Sequence, residues 1–326
     1  MALNIFYQEP DPDRWFPFDR YPRKLIRRIV RGKPRPGGQT MVAMNLIAGL
    51  EKLKYPYRFN DFSYAKRHPE ELACIIGKPQ VLFDRSWKNR ILFGASVFSH
   101  SIECPDLFEK YPVKKILVPG EWMRQMFEPH YGNKVMAWPV GIDTDTWVPS
   151  SEPKSIDVLI YDKVRWKHDQ YNQELIEPIQ MHLAARKLRV ESIRYGHYQP
   201  KDLLNKVKRS RAVIFLCEHE TQGLAYQQIL AAGVPILAWD RGGYWQDPAH
   251  FPHRVQFQPV SSVPYWDERC GMKFEDTTGF VRSFDPFWEY VRTNQFKPRE
   301  YVLENLTLEK AARQYLDIAQ SIQERI

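Results

Sequence analysis

"AVIFLCEHETQGLAYQQILAAGVPILAW", residues 212 to 239, holds an apolar run, a polar turn, a nearly uncharged helix-like stretch ending in Gly-x-Pro, and a second apolar run. Strand, turn, helix and strand in that order predict a parallel sheet, because two parallel strands need a crossover between them. The polar residues are placed where a buried helix gains nothing from them. Glu220 precedes Gly223–Leu224, where the helix is expected to start, and Gln227 and Gln228 fall in its second turn. A ligand at the first turns accounts for them. The free N–H groups and dipole of a helix start bind anions, and glycine lets a phosphate approach the backbone. Gln228 lies roughly 8 Å along the helix at about 1.5 Å per residue. A diphosphate at the helix start would therefore have a polar side chain on either side, one for a sugar and one for a ribose.

The same alternation extends through the chain. "LNIFY" (3–7), "YRFN" (57–60), "LACIIG" (72–77), "ILFGASVF" (91–98), "KKILVPG" (114–120) and "VMAWPVG" (135–141) are short strand-like runs, and Met41, Met44, Leu46, Ile47 and Leu50 have helical spacing. After a Pro/Ser-rich stretch at 141–155 the pattern restarts with "IDVLIYD" (156–162), a helical run over 168–188, "VESIRYG" (190–196) and a helix near 200–208. This order predicts two doubly wound α/β domains in tandem. They are expected at 1–148 and 149–306, with a C-terminal helix at 307–326 packing back toward the first domain. In open parallel sheets ligands bind beyond the carboxyl ends of the strands, so the chemistry is expected there.

A chain of 326 residues fits two domains better than one core. No segment reaches the length of an apolar membrane span, and the start lacks the basic and apolar regions of a secretory leader. Cys74, Cys104, Cys217 and Cys270 are scattered singly, which predicts reduced core thiols of a cytoplasmic protein rather than a metal site. The net charge of +8 is local: residues 20–35, "RYPRKLIRRIVRGKPR", hold eight Arg or Lys and no acid. The rest of the chain is balanced, which argues against nucleic acid as a partner.

The 220–235 stretch resembles the Glu-x7-Glu signature of retaining glycosyltransferases of the GT-B fold, in particular the large family 4. Glu220, Gly223, Leu224, Ala231, Gly233 and Pro235 fall in register with it, and Gln228 replaces the second glutamate. "RPGGQTMVAMNLIAGLEKL", with Gly37 and Gly38, resembles the family's glycine-rich loop near the donor phosphates. "ILVPGEWMRQMF" and "WPVGIDTDTW" resemble the segments ahead of its interdomain linker, "WDRGGYW" the glycine pair after the signature. The resemblance implies two Rossmann-like domains facing across a cleft and a nucleoside-diphosphate sugar as donor. It implies a glycan or lipid-linked saccharide as acceptor, and no cofactor or metal, since no DxD motif accompanies these features. Glu220 is implied to contact the donor sugar, Gln228 the ribose, and Gly141 to lie near the donor. Asp143 reads as a turn or cap residue.

Where the family has Gly-Arg and a lysine gripping the diphosphate, this chain has "YDKVRWKHD". Lys163 stands in the arginine's place and Arg165 or Lys167 in the lysine's. Three cations past a strand end suit a diphosphate, while a solvated basic turn is the plainer alternative. His100, after a strand-like run, is the candidate for the family's sugar-contacting His or Asp, with Asp106 in reserve; a structural histidine is the other reading.

About 30 residues lie between the first strand and Gly37, where the family has a short loop. Within this insertion Leu25, Ile26, Ile29 and Val30 fill one helical arc and five basic residues the opposite one. That pattern suits a helix lying on an anionic membrane, placing the protein at the inner face of the membrane, or an ordinary surface helix. Trp15, Phe16 and Phe18 just before it suit an interfacial anchor or a packed loop. The leading expectation is a retaining glycosyltransferase. The alternative is a non-catalytic nucleotide-sugar or glycan binding protein of the same fold.

Overall fold

A computed structural model describes residues 2–10 and 37–324. The basic segment 20–35 and the aromatic residues before it lie outside the described residues. The chain divides into two compact units. One comprises Met1–Pro119, Phe127–Trp138 and Ala311–Ile326, the other Gly120–Met126 and Pro139–Lys310.

The first unit carries six parallel strands: β1 (Leu3–Phe6), β2 (Tyr57–Phe59), β3 (Ala73–Ile75), β4 (Ile91–Phe93), β5 (Val113–Val118) and β6 (Val135–Ala137), in the order β2-β1-β3-β4-β5-β6. The second carries five: β7 (Ile156–Asp162), β8 (Val190–Arg194), β9 (Ser210–Leu216), β10 (Ile236–Trp239) and β11 (Gly271–Phe274), in the order β11-β10-β9-β7-β8. All pairings are parallel. Two doubly wound α/β units in tandem are thus what the alternating pattern builds.

The central strands are apolar along most of their length because both faces are covered, with polar residues at their ends. Successive side chains of β7 and β9 go to opposite faces. Leu159, Tyr161, Val213 and Phe215 join one core, with Val207, Tyr226 and Ile229 from helices Pro200–Arg209 and Leu224–Ala231. Val158, Ile160, Ala212 and Ile214 join the other, with Ile179 and Leu183 from Glu177–Ala185 and Phe280, Phe284 and Phe287 from Thr277–Arg292.

Two elements are shorter than their patterns. The run 91–98 ends as a strand at Phe93. Gly94 turns the chain at φ +117°, with its α-carbon so near β5 that a Cβ would sit 2.2 Å from the Leu117 carbonyl oxygen. The helical run over 168–188 stops at Ala185 after a π turn at Asn172–Ile176. The closing helix Leu308–Gln323 belongs to the first unit from Ala311 onward. There Trp138 donates its indole N–H to the Ala311 carbonyl at 2.9 Å and meets Tyr315 edge-on at 5.0 Å. Such an aromatic pair contributes about 1 kcal/mol beyond its buried area.

In each sheet the strand order reverses once. The chain leaves β1 for β2 on one side and reaches β3 on the other; it leaves β7 for β8 and reaches β9 on the other. These reversals open crevices at the strand ends, where ligands of open α/β sheets bind.

Candidate functional site

The β7/β9 crevice brings together the two segments that carry most of the sequence-predicted site residues. After β7 the chain runs through Lys163, Val164, Arg165, Trp166 and Lys167. After β9 it runs through Glu218, His219 and Glu220 to Gly223. The Lys163 ammonium pairs with the Glu220 carboxylate, and the two side chains are only 13% and 6% exposed. The pair therefore bridges the point at which the strand order reverses. Burial alone would lower the Lys163 pKa, but the charge and hydrogen bond of Glu220 outweigh it and the net shift is upward. Lys163 also lies 4.5 Å from the ring centroid of Tyr195, an exposed aromatic just past β8.

The peptide of Glu220 is held from both sides. Its N–H donates to the Ser261 carbonyl at 2.9 Å, and its carbonyl accepts the Trp122 indole N–H at 2.8 Å. Helix Leu224–Ala231 starts at Gly223, as expected from the sequence, and no side chain among the described residues caps it. Its first intrahelical bond runs from Gln227 N to the Gly223 carbonyl, which leaves the N–H groups of the first turn without helical acceptors. Gly223 is required twice. Its φ is +74°, and a Cβ there would lie 2.0 Å from the ring of Tyr226.

The two glutamines differ. Gln227 is fully buried and donates to the Gln222 carbonyl at 2.7 Å, so it is structural. Gln228 is half-buried, and its side-chain amide has no hydrogen-bond partner among the described residues. Leu224 packs its side chain against the core beneath.

Arg165 is exposed, donates to the His219 carbonyl at 3.1 Å, and lies over the Trp166 ring at 4.2 Å. Lys167 is exposed, at φ +50°, ahead of the short His168–Tyr171 helix. Three residues that sequence reasoning passed over hold this arrangement. Glu218 accepts the backbone N–H groups of Arg165 and Trp166, both at 2.8 Å. Asp162 accepts from Val164 N at 3.0 Å and pairs with His168 at 2.7 Å. His219 lies between the Trp122 and Trp166 rings at 5.7 and 5.2 Å. Burial, then the charges of Arg165, Arg241 and Lys163, lowers its pKa to about 2, so the ring is neutral. Its nitrogens face Arg165 Nη2 and Gln246 N, each at 3.4 Å; the neutral ring accepts through one of them and carries its proton on the other, and a second ring proton would remove that one acceptor. The available signal was charge crowded just past an apolar strand, in "LCEHE".

The remaining candidates stand on other segments of the chain. Gly37 precedes helix Gly38–Lys52 with φ −69°, and neither Gly37 nor Gly38 has an atom within 4 Å of where a Cβ would be. Among the described residues no side chain caps that helix start. Gly141 has a packing reason to be glycine, since a Cβ would come within 2.6 Å of Leu308 Cα. Asp143 accepts from Asp145 N at 3.1 Å and Thr146 Oγ1 at 2.6 Å, forming a turn. His100 is buried and caps the turn Ser101–Glu103, its Nδ1 accepting from Ile102 N at 3.1 Å. Asp106 pairs with Lys110. The four cysteines are free and buried. Among the described residues one group has metal-ligand spacing, His68, Glu70 and Glu71, far along the chain from these motifs. There Glu71 already accepts from Asn4 at 2.8 Å and Tyr64 at 2.7 Å.

No family model and no curated protein matches the sequence. Solved structures do match the backbone. The lipopolysaccharide outer core galactosyltransferase WaaB aligns with a TM-score of 0.52 at 11% identity, over 99% of this chain and 100% of its own. The fold is GT-B. WaaG, a glycosyltransferase involved in lipopolysaccharide biosynthesis, gives 0.52 at 10% identity over 98% of this chain and 99% of its own. A variant of S. aureus TarM, solved with fondaparinux, alpha-GlcNAc-glycerol and UDP, gives 0.54 at 14% identity over 85% of this chain and 58% of its own. The chain spans just over half the length of the matched TarM chain and of the matched chain from accessory secretory protein 1, 2 and 3 of Streptococcus pneumoniae, 58% and 52%. At these identities the likeness speaks for the GT-B fold. No helix among the described residues is long and apolar enough to cross a membrane.

Proposed function

We propose that this GT-B chain is a retaining glycosyltransferase that moves a sugar from a nucleoside-diphosphate donor to a hydroxyl of a glycan or lipid-linked acceptor. The observation that carries the reading is the buried Lys163–Glu220 pair, which spans the β7/β9 reversal beside the uncapped helix start at Gly223. A cation, a carboxylate and free N–H groups at one strand-end crevice match the three parts of a nucleotide sugar's reactive end.

Lys163, Arg165, Lys167 and the first N–H groups of helix Leu224–Ala231 hold the diphosphate and stabilise the negative charge that grows as it leaves. Glu220 accepts hydrogen bonds from the donor sugar's hydroxyls, and its fixed peptide and buried lysine partner keep it in place beforehand. Gln228 bonds the ribose through its free amide. The acceptor hydroxyl enters on the face the diphosphate vacates, which preserves the anomeric configuration, and a leaving phosphate oxygen takes its proton. Because side-chain cations and helix amides supply the charge stabilisation, the reaction needs no metal, and EDTA should leave the rate unchanged.

Replacing Glu220 by Gln keeps a hydrogen bond to Lys163 but loses the carboxylate. Transfer or slow hydrolysis of UDP-, GDP-, ADP- or CDP-sugars should fall about 10²- to 10³-fold in protein still folded at the assay temperature, and the melting temperature should drop because the Lys163 ammonium loses its counter-charge. Full activity in that variant contradicts the role. Gln228 supports a second reading, a binding protein without turnover, because an amide bonds a ribose more weakly than a carboxylate. Nucleotide-sugar binding with neither transfer nor hydrolysis would decide for it. The run of basic residues that includes Arg23, Lys24, Arg27 and Arg28 supports attachment to an anionic membrane; reversing those four charges should abolish sedimentation with phosphatidylserine vesicles, and unchanged sedimentation refutes the attachment.

A further inference from the structure

Among the described residues Glu218 holds a carboxylate oxygen that is buried without a hydrogen-bond partner. Its side chain is fully buried, Oε1 accepts both Arg165 N and Trp166 N, and Oε2 has no hydrogen-bond partner among those residues. Among the described residues Arg165 Nε lies 3.9 Å from Oε2. Taking a carboxylate out of water is costly unless strong hydrogen bonds compensate, and two backbone donors to one charged oxygen are of that kind.

The placement matters for what the loop offers a ligand. Regular pairing of β7 with β9 ends where Lys163 N donates to the Leu216 carbonyl at 2.7 Å. Beyond it the amides of Val164, Arg165 and Trp166 all go to carboxylates, the first to Asp162 and the others to Glu218. Three consecutive amides are thus turned away from any phosphate. The loop presents an anion with side chains alone, and Glu218 determines where their backbone stands.

We propose that Glu218 is a positioning residue for the diphosphate: by fixing the backbone of Arg165 and Trp166 it aims Lys163 and Arg165, and so sets the site's preference for a nucleoside diphosphate over the matching nucleoside. This rests on the function proposed above and adds to it a residue that touches no substrate.

Isothermal titration of the full chain with UDP, GDP, ADP and CDP, and with the nucleoside of the best binder, tests it. In Glu218→Ala the diphosphate-to-nucleoside affinity ratio should fall roughly tenfold or more, since small misplacements of binding groups carry large penalties. Glu218→Gln, which keeps an oxygen for the two amides, should hold the ratio within about threefold. A residue serving stability alone would weaken both ligands together and leave the ratio unmoved. An unchanged ratio in folded Glu218→Ala overturns the proposal. Should that variant not fold, Glu218→Asp, whose carboxylate is withdrawn by one methylene, takes its place with the same expected loss and the same refuting result. If none of the four diphosphates binds the unaltered protein, the functional reading itself falls and this inference with it.

Discussion

The two strand-order reversals carry the same pair of residue types in different surroundings. In the first unit Glu9 follows β1 and Lys78 follows β3, 3.3 Å apart, with the carboxylate side chain 52% exposed. In the second, Lys163 follows β7 and Glu220 follows β9, with the carboxylate side chain 6% exposed. Glu9 shares its oxygens with Tyr7 and with Thr40 Oγ1 at 3.0 Å, a small network open to water. Topology places an acid and a lysine at both crevices. Burial separates them: an open pair is screened and worth about 0–1 kcal/mol, while a buried charge left alone is heavily penalised.

The largest expected effect follows from that contrast. Lys163→Ala strands a buried carboxylate and should lower unfolding free energy by about 3–5 kcal/mol in urea titration. Lys78→Ala should cost less than about 1 kcal/mol. The double variant Lys163→Met/Glu220→Leu should recover most of the loss, because an apolar pair is no worse than a buried ionic one. Equal losses for Lys163→Ala and Lys78→Ala would break the comparison.

The helix starts differ in the same sense. Gly223→Ala combines a φ of +74° with a Cβ 2.0 Å from Tyr226, and should cost about 1–3 kcal/mol. Gly37→Ala meets no atom of the described residues within 4 Å at φ −69° and should stay within about 0.5 kcal/mol. Melting curves of the two variants check the order.

Acid separates the crevices by pH window. His219 has its pKa lowered to about 2, chiefly by burial, so below about 6.5 the unfolded chain binds a proton that the folded one refuses. Stability is therefore complete above that pH and declines as pH falls, by at most about 1.4 kcal/mol per unit. Burial lowers His182 as well, so both act in this window. Burial raises the Glu9 pKa, but hydrogen bonds from Tyr7 and Thr40 and the charge of Lys78 outweigh it and the net shift is downward. Its contribution is present above the ordinary carboxylate range and is lost as pH falls through the lowered value, below the histidine window. His219→Asn should make the profile shallower between about pH 4.5 and 6.5, leaving the share of His182 and the lower limb; an unaltered profile there contradicts the assignment.

Much of this was legible in the sequence. Apolar runs bounded by Gly and Pro marked the strands of both sheets, and glycine after a polar turn marked the start of helix Leu224–Ala231. What was not legible depends on which way a side chain points in three dimensions. Gln227 and Gln228 are chemically identical neighbours, yet one is buried in a hydrogen bond and the other is free. Glu218 has no local pattern that marks it beside Glu220, because only the β7/β9 register brings it under the amides of Arg165 and Trp166. Gly141 drew attention as a ligand-side glycine, while the close passage of Leu308 is a long-range contact that no local pattern announces. Strand β11, "GMKF", is too short and too mixed to stand out until β10 pairs with it.

The central claim is that a nucleoside diphosphate sits at the β7/β9 crevice. Crystals grown with the best-binding diphosphate test it directly. Phosphate density within hydrogen-bond reach of Lys163 and of the amides after Gly223 is the predicted result. The compound bound at another place, with that crevice empty, would contradict it.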